Sequence, residues 1–138
     1  MDKILDYKSH YTGQIHKIHF KNLLEDTDGI DGYILKDTLF ERPDHNYNIL
    51  LQFLKPNDIV WDIGSYIGTF SIPFAIEGLK VHAFEGFPYN FGRLNINCKP
   101  YKNITTHMCA LNNENKKVIS KFGDCTTLDQ KPTEIEYF

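Results

Sequence analysis

The sequence predicts a single α/β domain built on a mostly parallel sheet. Three observations lead there. From residue 44 onward, short apolar runs alternate with segments of helical spacing in the order β-α-β-α-β, the connections between them are short, and the first strand-to-helix junction carries a glycine-rich loop, Gly64-Ser65-Tyr66-Ile67-Gly68. With 138 residues and 41% hydrophobic content, the chain suffices for one domain rather than two.

Residues 1–43 read as a preamble with short strands. Residues 13–20 (Gly-Gln-Ile-His-Lys-Ile-His-Phe) are rich in β-formers with imperfect alternation. Tyr33-Ile34-Leu35 is a second short apolar run beyond the turn-like pairs Asp28-Gly29 and Asp31-Gly32. Two strands are expected there. From Asp44, a plausible N-cap, Tyr47, Leu50, Leu51 and Leu54 recur at helical spacing until Pro56 forbids continuation. Residues 58–63 (Asp-Ile-Val-Trp-Asp-Ile) form a short, mostly apolar run of the kind buried on both faces of a parallel sheet. A helix is expected over residues 68–77, closed by Gly78. Residues 80–85 read as the second strand, residues 88–98 as a helix with Phe91 and Leu94 facing inward, and residues 104–111 as the third strand. Such alternation implies right-handed crossovers and a ligand crevice at the carboxyl ends of the strands.

The chemistry concentrates at those ends. Gly64 permits a tight turn after the first strand, Gly68 lets the following helix approach the strand, and the helix start offers unpaired N–H groups to a ligand. Glu85 follows Asp62 by 23 residues and ends the second strand, where a nucleoside-binding fold places a carboxylate to accept both ribose hydroxyls. A solvated acid is the plainer reading of Glu85. Phe87 is placed to cover one face of an adenine ring, with core packing as its rival.

The series Asp62-x-Gly64-x3-Gly68-x-Phe70-Ser71, Val81-x-Ala83-Phe84-Glu85-x2-Pro88 and Leu94-x2-Asn97 resembles the FkbM-type methyltransferases in order and spacing. The resemblance covers roughly residues 31–129. It implies a Rossmann-like class I methyltransferase fold, three-layered around a mostly parallel sheet, that binds S-adenosylmethionine and releases S-adenosylhomocysteine, with O-methyl transfer to a hydroxyl of a sugar or natural product. Carried onto this chain, Asp62, Gly64 and Gly68 would form the floor beneath the methionine moiety, with Ser65, Tyr66, Thr69 and Phe70 completing the loop. Glu85 and Gly86 would hold the ribose, Phe87, Cys109 and Ala110 would flank adenine, and Glu41 would meet the methionine ammonium. An exposed charge beside Arg42 is the equal alternative for Glu41. Ser65-Tyr66 stand where the family usually has Ala-Asn, and Gly86 where it has Pro. The resemblance assigns no catalytic base. It also implies a fourth strand with acidic residues beyond Thr127-Leu128-Asp129. The sequence instead ends at Phe138, so truncation after the third Rossmann strand is expected, leaving the first strand at an apolar edge that favours a homo-oligomer or a complementing chain.

Other classes are disfavoured. A formal net charge of -3 gives no footprint for a nucleic-acid backbone, so a small-molecule acceptor is expected and nucleic acid is not. His10, His16, His19, His45, His82 and His107 form no ligand motif, and no metal is expected. Cys98, Cys109 and Cys125 are an odd count without C-x-x-C spacing, which fits a reducing cytoplasm. The start of the chain has no apolar signal-peptide core, no run reaches membrane-spanning length, and the sequon at Asn103 reads as chance. A nicotinamide enzyme remains a competitor, but Gly64-x3-Gly68 lacks the second glycine of G-x-G-x-x-G that admits a pyrophosphate. A non-catalytic binding module is the other.

Overall fold

The computed structural model describes residues 1–25, 28–45, 47–111, 113, 116–120 and 133–137. Its centre is a three-stranded parallel sheet in the order β3 (Ile59–Ile63), β4 (Lys80–Phe84), β5 (Ile104–His107), with α3 (Ser71–Ile76) and α4 (Pro88–Cys98) as the crossovers. This is the α/β architecture that the alternation predicts. The helix α4 has the bounds expected for it, since Pro88 suits the first helical turn, where its missing N–H costs nothing. The helix α3 is shorter than expected and ends before Gly78, whose φ of +84° suits glycine at the residue beyond a helix end. The third strand ends at His107, four residues early. A second antiparallel pair, β6 (Lys116–Ser120) with β7 (Thr133–Tyr137), stands as a separate sheet. Residues 121–132, including Cys125 and Thr127-Leu128-Asp129, lie outside the described residues.

The preamble differs from expectation at both of its ends. An antiparallel hairpin joins β1 (Lys3–Lys8) to β2 (Ile15–Phe20), so β2 is where the sequence put it while β1 went unread. Its signal was short: Leu5 and Tyr7 alternate inward, but Ile4 points out and is 48% exposed. Tyr33-Ile34-Leu35, expected as a strand, belongs to a helix, α1 (Ile30–Leu35). The Asp31-Gly32 pair suggested a turn. It is helical because the Asp31 carboxylate is consumed by long-range partners rather than by its own backbone, and because Ile34 is fully buried one turn from Ile30. The helix α2 (Tyr47–Leu51) follows two 3-10 turns and buries Tyr47 and Leu51, whereas Leu50 is exposed.

One hydrophobic cluster joins the hairpin to the sheet. Leu5, Tyr7, Ile18 and Phe20 pack in the same core as Ile67, Ile72, Val81 and Leu94. A polar clamp fixes the hairpin tip: the buried Glu77 carboxylate, at the end of α3, accepts hydrogen bonds from the Tyr7 hydroxyl (2.8 Å), the Ser9 hydroxyl (3.0 Å) and the backbone N–H groups of His10 (2.6 Å) and Tyr11 (3.1 Å). Burial and the neighbouring carboxylate push the Tyr7 phenol well above its usual range, so it stays a donor. The Asn103 amide donates to the Ala75 and Leu79 carbonyls and is thereby engaged inside the fold.

The strand β3 was expected to be buried on both faces, and one face is not. Ile59, Trp61 and Ile63 are 64, 61 and 61% exposed. The opposite face, with Val60, Val81, Ala83 and Ile104, packs against the crossover helices. Among the described residues β3 pairs with β4 alone, so the first strand is an edge strand as expected.

Candidate functional site

The carboxyl ends of three parallel strands line up because β3 pairs in register with β4 and β4 with β5. Gly64 follows the end of β3, Glu85 the end of β4, and Cys109 and Ala110 the end of β5. The chain turns sharply after β3, with the N–H groups of Gly64 and Ser65 both bonding the Phe84 carbonyl at 2.9 Å. That turn needs φ values of +79° at Gly64, +53° at Tyr66 and +95° at Gly68. The two glycines answer different demands. A Cβ at Gly68 would lie 3.1 Å from Cys98 Sγ and 3.3 Å from Ile72 Cδ1, which is the close approach of helix to strand. A Cβ at Gly64 would meet nothing within 4 Å, so its requirement is conformational and the space above it is open to a ligand. Gly64→Val is therefore expected to strain the turn by about 1–3 kcal/mol while filling that space with a β-branched side chain. The check is a thermal melt paired with nucleoside titration. A variant that melts like the parent and binds equally would remove Gly64 from the site.

Glu85 links the loop to the second strand. One carboxylate oxygen accepts the Tyr66 N–H at 3.0 Å, and the other accepts the Phe87 N–H at 2.8 Å. These two bonds orient the carboxylate at the strand end. Phe87 stands beside it, but its ring is only 7% exposed and offers little open surface. Cys109 is buried and Ala110 half-buried at the same edge. Asp62, inside β3, accepts the Ser71 hydroxyl at 2.5 Å, and the Ser65 hydroxyl donates to the Asp62 carbonyl at 2.6 Å. Burial pushes the Asp62 carboxyl up, opposed by the hydrogen bonds from Ser71 and Ser65. The acid thus sits beneath the loop and braces the start of α3.

Tyr66, which stands where the resembled family usually has Asn, turns its side chain to a buried network that sequence reasoning missed. Its hydroxyl donates to Asp31 Oδ1 (2.8 Å) and accepts from Arg93 Nη1 (3.2 Å), while Arg93 Nη2 bonds Asp31 Oδ2, which also accepts the Leu24 N–H. Asp31 is fully buried and Arg93 is 3% exposed. The loop is therefore held at both ends of one residue, by backbone to Glu85 and by side chain to the ion pair. Thr69 and Phe70 instead meet Tyr47 and His45. The Thr69 carbonyl accepts the Tyr47 hydroxyl at 2.6 Å, and the Phe70 ring lies 4.9 Å from the rings of both His45 and Tyr47.

Glu41, expected at the methionine end, is exposed in a 3-10 turn (Leu39–Glu41) and lines a cleft with His45 and Tyr47. The two strand histidines bond each other, His82 Nδ1 to His107 Nε2 at 3.0 Å, with stacked rings. Among the described residues no group of three or more histidines, cysteines and acids is placed to hold a metal ion, and no helix is long and apolar enough to cross a membrane.

No family model matches this chain. A tRNA (guanine(37)-N(1))-methyltransferase of Xenopus tropicalis is similar to it, 27% identical over 95 residues, which cover 63% of this chain and 19% of that protein. The chain thus spans about a fifth of the length of that curated relative. Among solved structures, a transferase of Pyrococcus horikoshii matches with a TM-score of 0.40 at 21% identity, covering 78% of this chain and 36% of that one. The TYW2 protein of the same organism, in complex with MeSAdo, matches with a TM-score of 0.42 at 22% identity, over the same shares.

Proposed function

We propose that this chain forms the S-adenosylmethionine-binding part of a methyltransferase. The observation that carries the reading is the bond between Glu85 and the Tyr66 N–H, which makes the glycine-rich loop and the strand-end acid one site at the carboxyl edge of a parallel sheet. In this reading Glu85 accepts the ribose hydroxyls, the open space over Gly64 admits the methionine portion, and Cys109 and Ala110 border the base. When bound, the cofactor supplies an electrophilic methyl group, and this chain's part is to orient it. The similarity to a named methyltransferase supports the same class. Against a dinucleotide, the loop still lacks the middle glycine that a pyrophosphate requires.

For the acceptor, the relative's name points to a guanine of tRNA, which argues against the sequence-based expectation that nucleic acid is excluded. We take a tRNA base as the first candidate. A sugar or natural-product hydroxyl, implied by the FkbM resemblance, is the second, and the net charge of -3 favours it. Radiolabelled methyl transfer to bulk tRNA or to a hydroxyl panel separates the two.

The cofactor reading has a direct test. Glu85→Gln replaces a charged acceptor by a neutral amide and is expected to weaken S-adenosylhomocysteine binding by about 1.5–3 kcal/mol, roughly ten- to 150-fold. Isothermal calorimetry against S-adenosylhomocysteine and NAD side by side reads it. Equal affinity in a folded variant, or preference for NAD, would remove the assignment.

A further inference from the structure

Two histidines meet on the open face of the sheet. By alternation, β4 places His82 and Phe84 on the face that Trp61 shares, and β5 places His107 there. His82 Nδ1 lies 3.0 Å from His107 Nε2, a hydrogen-bond distance, so one proton is shared across that gap. One nitrogen donates it and the other accepts with a free lone pair. The His107 ring is held by stacking on Phe84, with centroids 4.5 Å apart and 14° between the planes. Its backbone reaches the candidate site. The His107 carbonyl accepts the Glu85 N–H at 3.1 Å, and Cys109 and Ala110 follow within three residues. The strand β5 has four residues and pairs with β4 alone among the described residues, so this end of it depends on few bonds.

We propose that the His82–His107 pair is a proton-operated latch on the carboxyl edge of the sheet, closed near neutral pH and opened by acid, and that its opening weakens nucleoside binding at Glu85. The identity of that nucleoside rests on the methyltransferase reading. The switch follows from counting protons. With one proton in the gap the pair is bonded, and an added proton on an outer nitrogen leaves the bond intact. A further one makes both facing nitrogens donors and brings two positive rings together, so the bond is lost. Burial and the neighbouring His82 already hold the His107 imidazole below its usual range. The open form takes up a proton that the closed form refuses. Acid therefore favours opening, beginning below the ordinary histidine value of about 6.5, and the latch is fully closed above it. The surrounding charges do not offset this. On the same face β3 presents Ile59, Trp61 and Ile63, β4 presents Lys80 and Phe84, and β5 presents Thr105. Lys80 is the one charged group among these strand residues, and its sign adds to the repulsion.

The test combines two measurements on the whole chain, as parent and as His82→Gln. A glutamine amide can turn either its donor or its acceptor to His107, so the variant keeps a bond that does not depend on protonation. Calorimetry with S-adenosylhomocysteine at pH 7.5 and at pH 5.5 is expected to show the parent losing about three- to tenfold more affinity than the variant, within the roughly tenfold per pH unit that one coupled proton allows. Asp62, whose carboxyl is pushed up by burial, is present in both proteins, so its own titration cancels in the comparison. NMR of the unliganded chain follows the two rings and the amides of Glu85, Cys109 and Ala110 over the same range. Amide shifts that track ring protonation in the parent and vanish in the variant are expected. Equal pH dependence in the two proteins, or rings that titrate independently at the ordinary histidine value, overturns the proposal. The expected amide shifts without S-adenosylhomocysteine binding at either pH would keep the latch and end the methyltransferase reading.

Discussion

Replacing Arg93 by methionine is expected to cost about 3–5 kcal/mol of folding stability, the range for removing one partner of a buried ion pair. Asp31 is fully buried, so in the variant its carboxylate keeps, among the described residues, the Tyr66 hydroxyl and the Leu24 N–H. Against a typical domain stability of about 5–15 kcal/mol, that loss is large. The pair is worth less than its removal suggests. Joint replacement, Arg93→Met with Asp31→Leu, should cost clearly less than the sum of the singles, because no charge is then left buried. The second consequence is functional. Tyr66 holds a left-handed backbone conformation at φ +53°, which a tyrosine adopts only under constraint, and Asp31 and Arg93 supply that constraint through its hydroxyl. Urea denaturation of the three variants reads the first effect, and nucleoside affinity in the folded fraction reads the second. A single variant within about 1 kcal/mol of the parent would show that the pair is solvated or redundant.

What the sequence made legible was local. The helix α4 could be read to its ends because Pro88 marks the first turn and the apolar spacing is helical. The strands β3 and β4 and the loop between β3 and α3 could be read because apolar runs of five residues end at Gly64 and Glu85. The site's supporting structure was not legible, for a common physical reason: its partners are far apart in the chain. Asp31 and Arg93 are separated by 62 residues, and Tyr7 and Glu77 by 70. No periodicity announces such pairs. Asp31-Gly32 looks like a turn until a cation and a tyrosine arrive from elsewhere to occupy the carboxylate. His45 shows the same limit from the other side, since a histidine in a polar, proline-containing segment gives no sign that the fold will bury it. Gly64, Glu85 and Cys109 follow the ends of three parallel strands, whereas Glu41 lies in a 3-10 turn ahead of the first of them.

The exposed face of β3 should make the chain associate. Ile59, Trp61 and Ile63 project at alternate positions, flanked on the neighbouring strand β4 by the rings of Phe84, 5.3 Å from Trp61, and His82, 6.5 Å away. Isolated exposed apolar residues are ordinary, but a contiguous aromatic and branched patch on a paired sheet is a contact surface. The strand's outer edge adds main-chain groups that β4 does not use. Two copies meeting through this face form a self-complementary interface in which each substitution counts twice. A buried interfacial tryptophan is worth about 2 kcal/mol or more, so Trp61→Lys should weaken association by about 4 kcal/mol, near a thousandfold. Fold stability should change little, because Trp61 is 61% exposed within one chain. Sedimentation velocity at micromolar concentration is the measurement. The parent is expected to sediment as a dimer or larger and the variant as a monomer of unchanged circular dichroism. A parent that remains monomeric over this range would mean that the face is tolerated bare, and Trp61 would then be sought instead as a contact for a different chain.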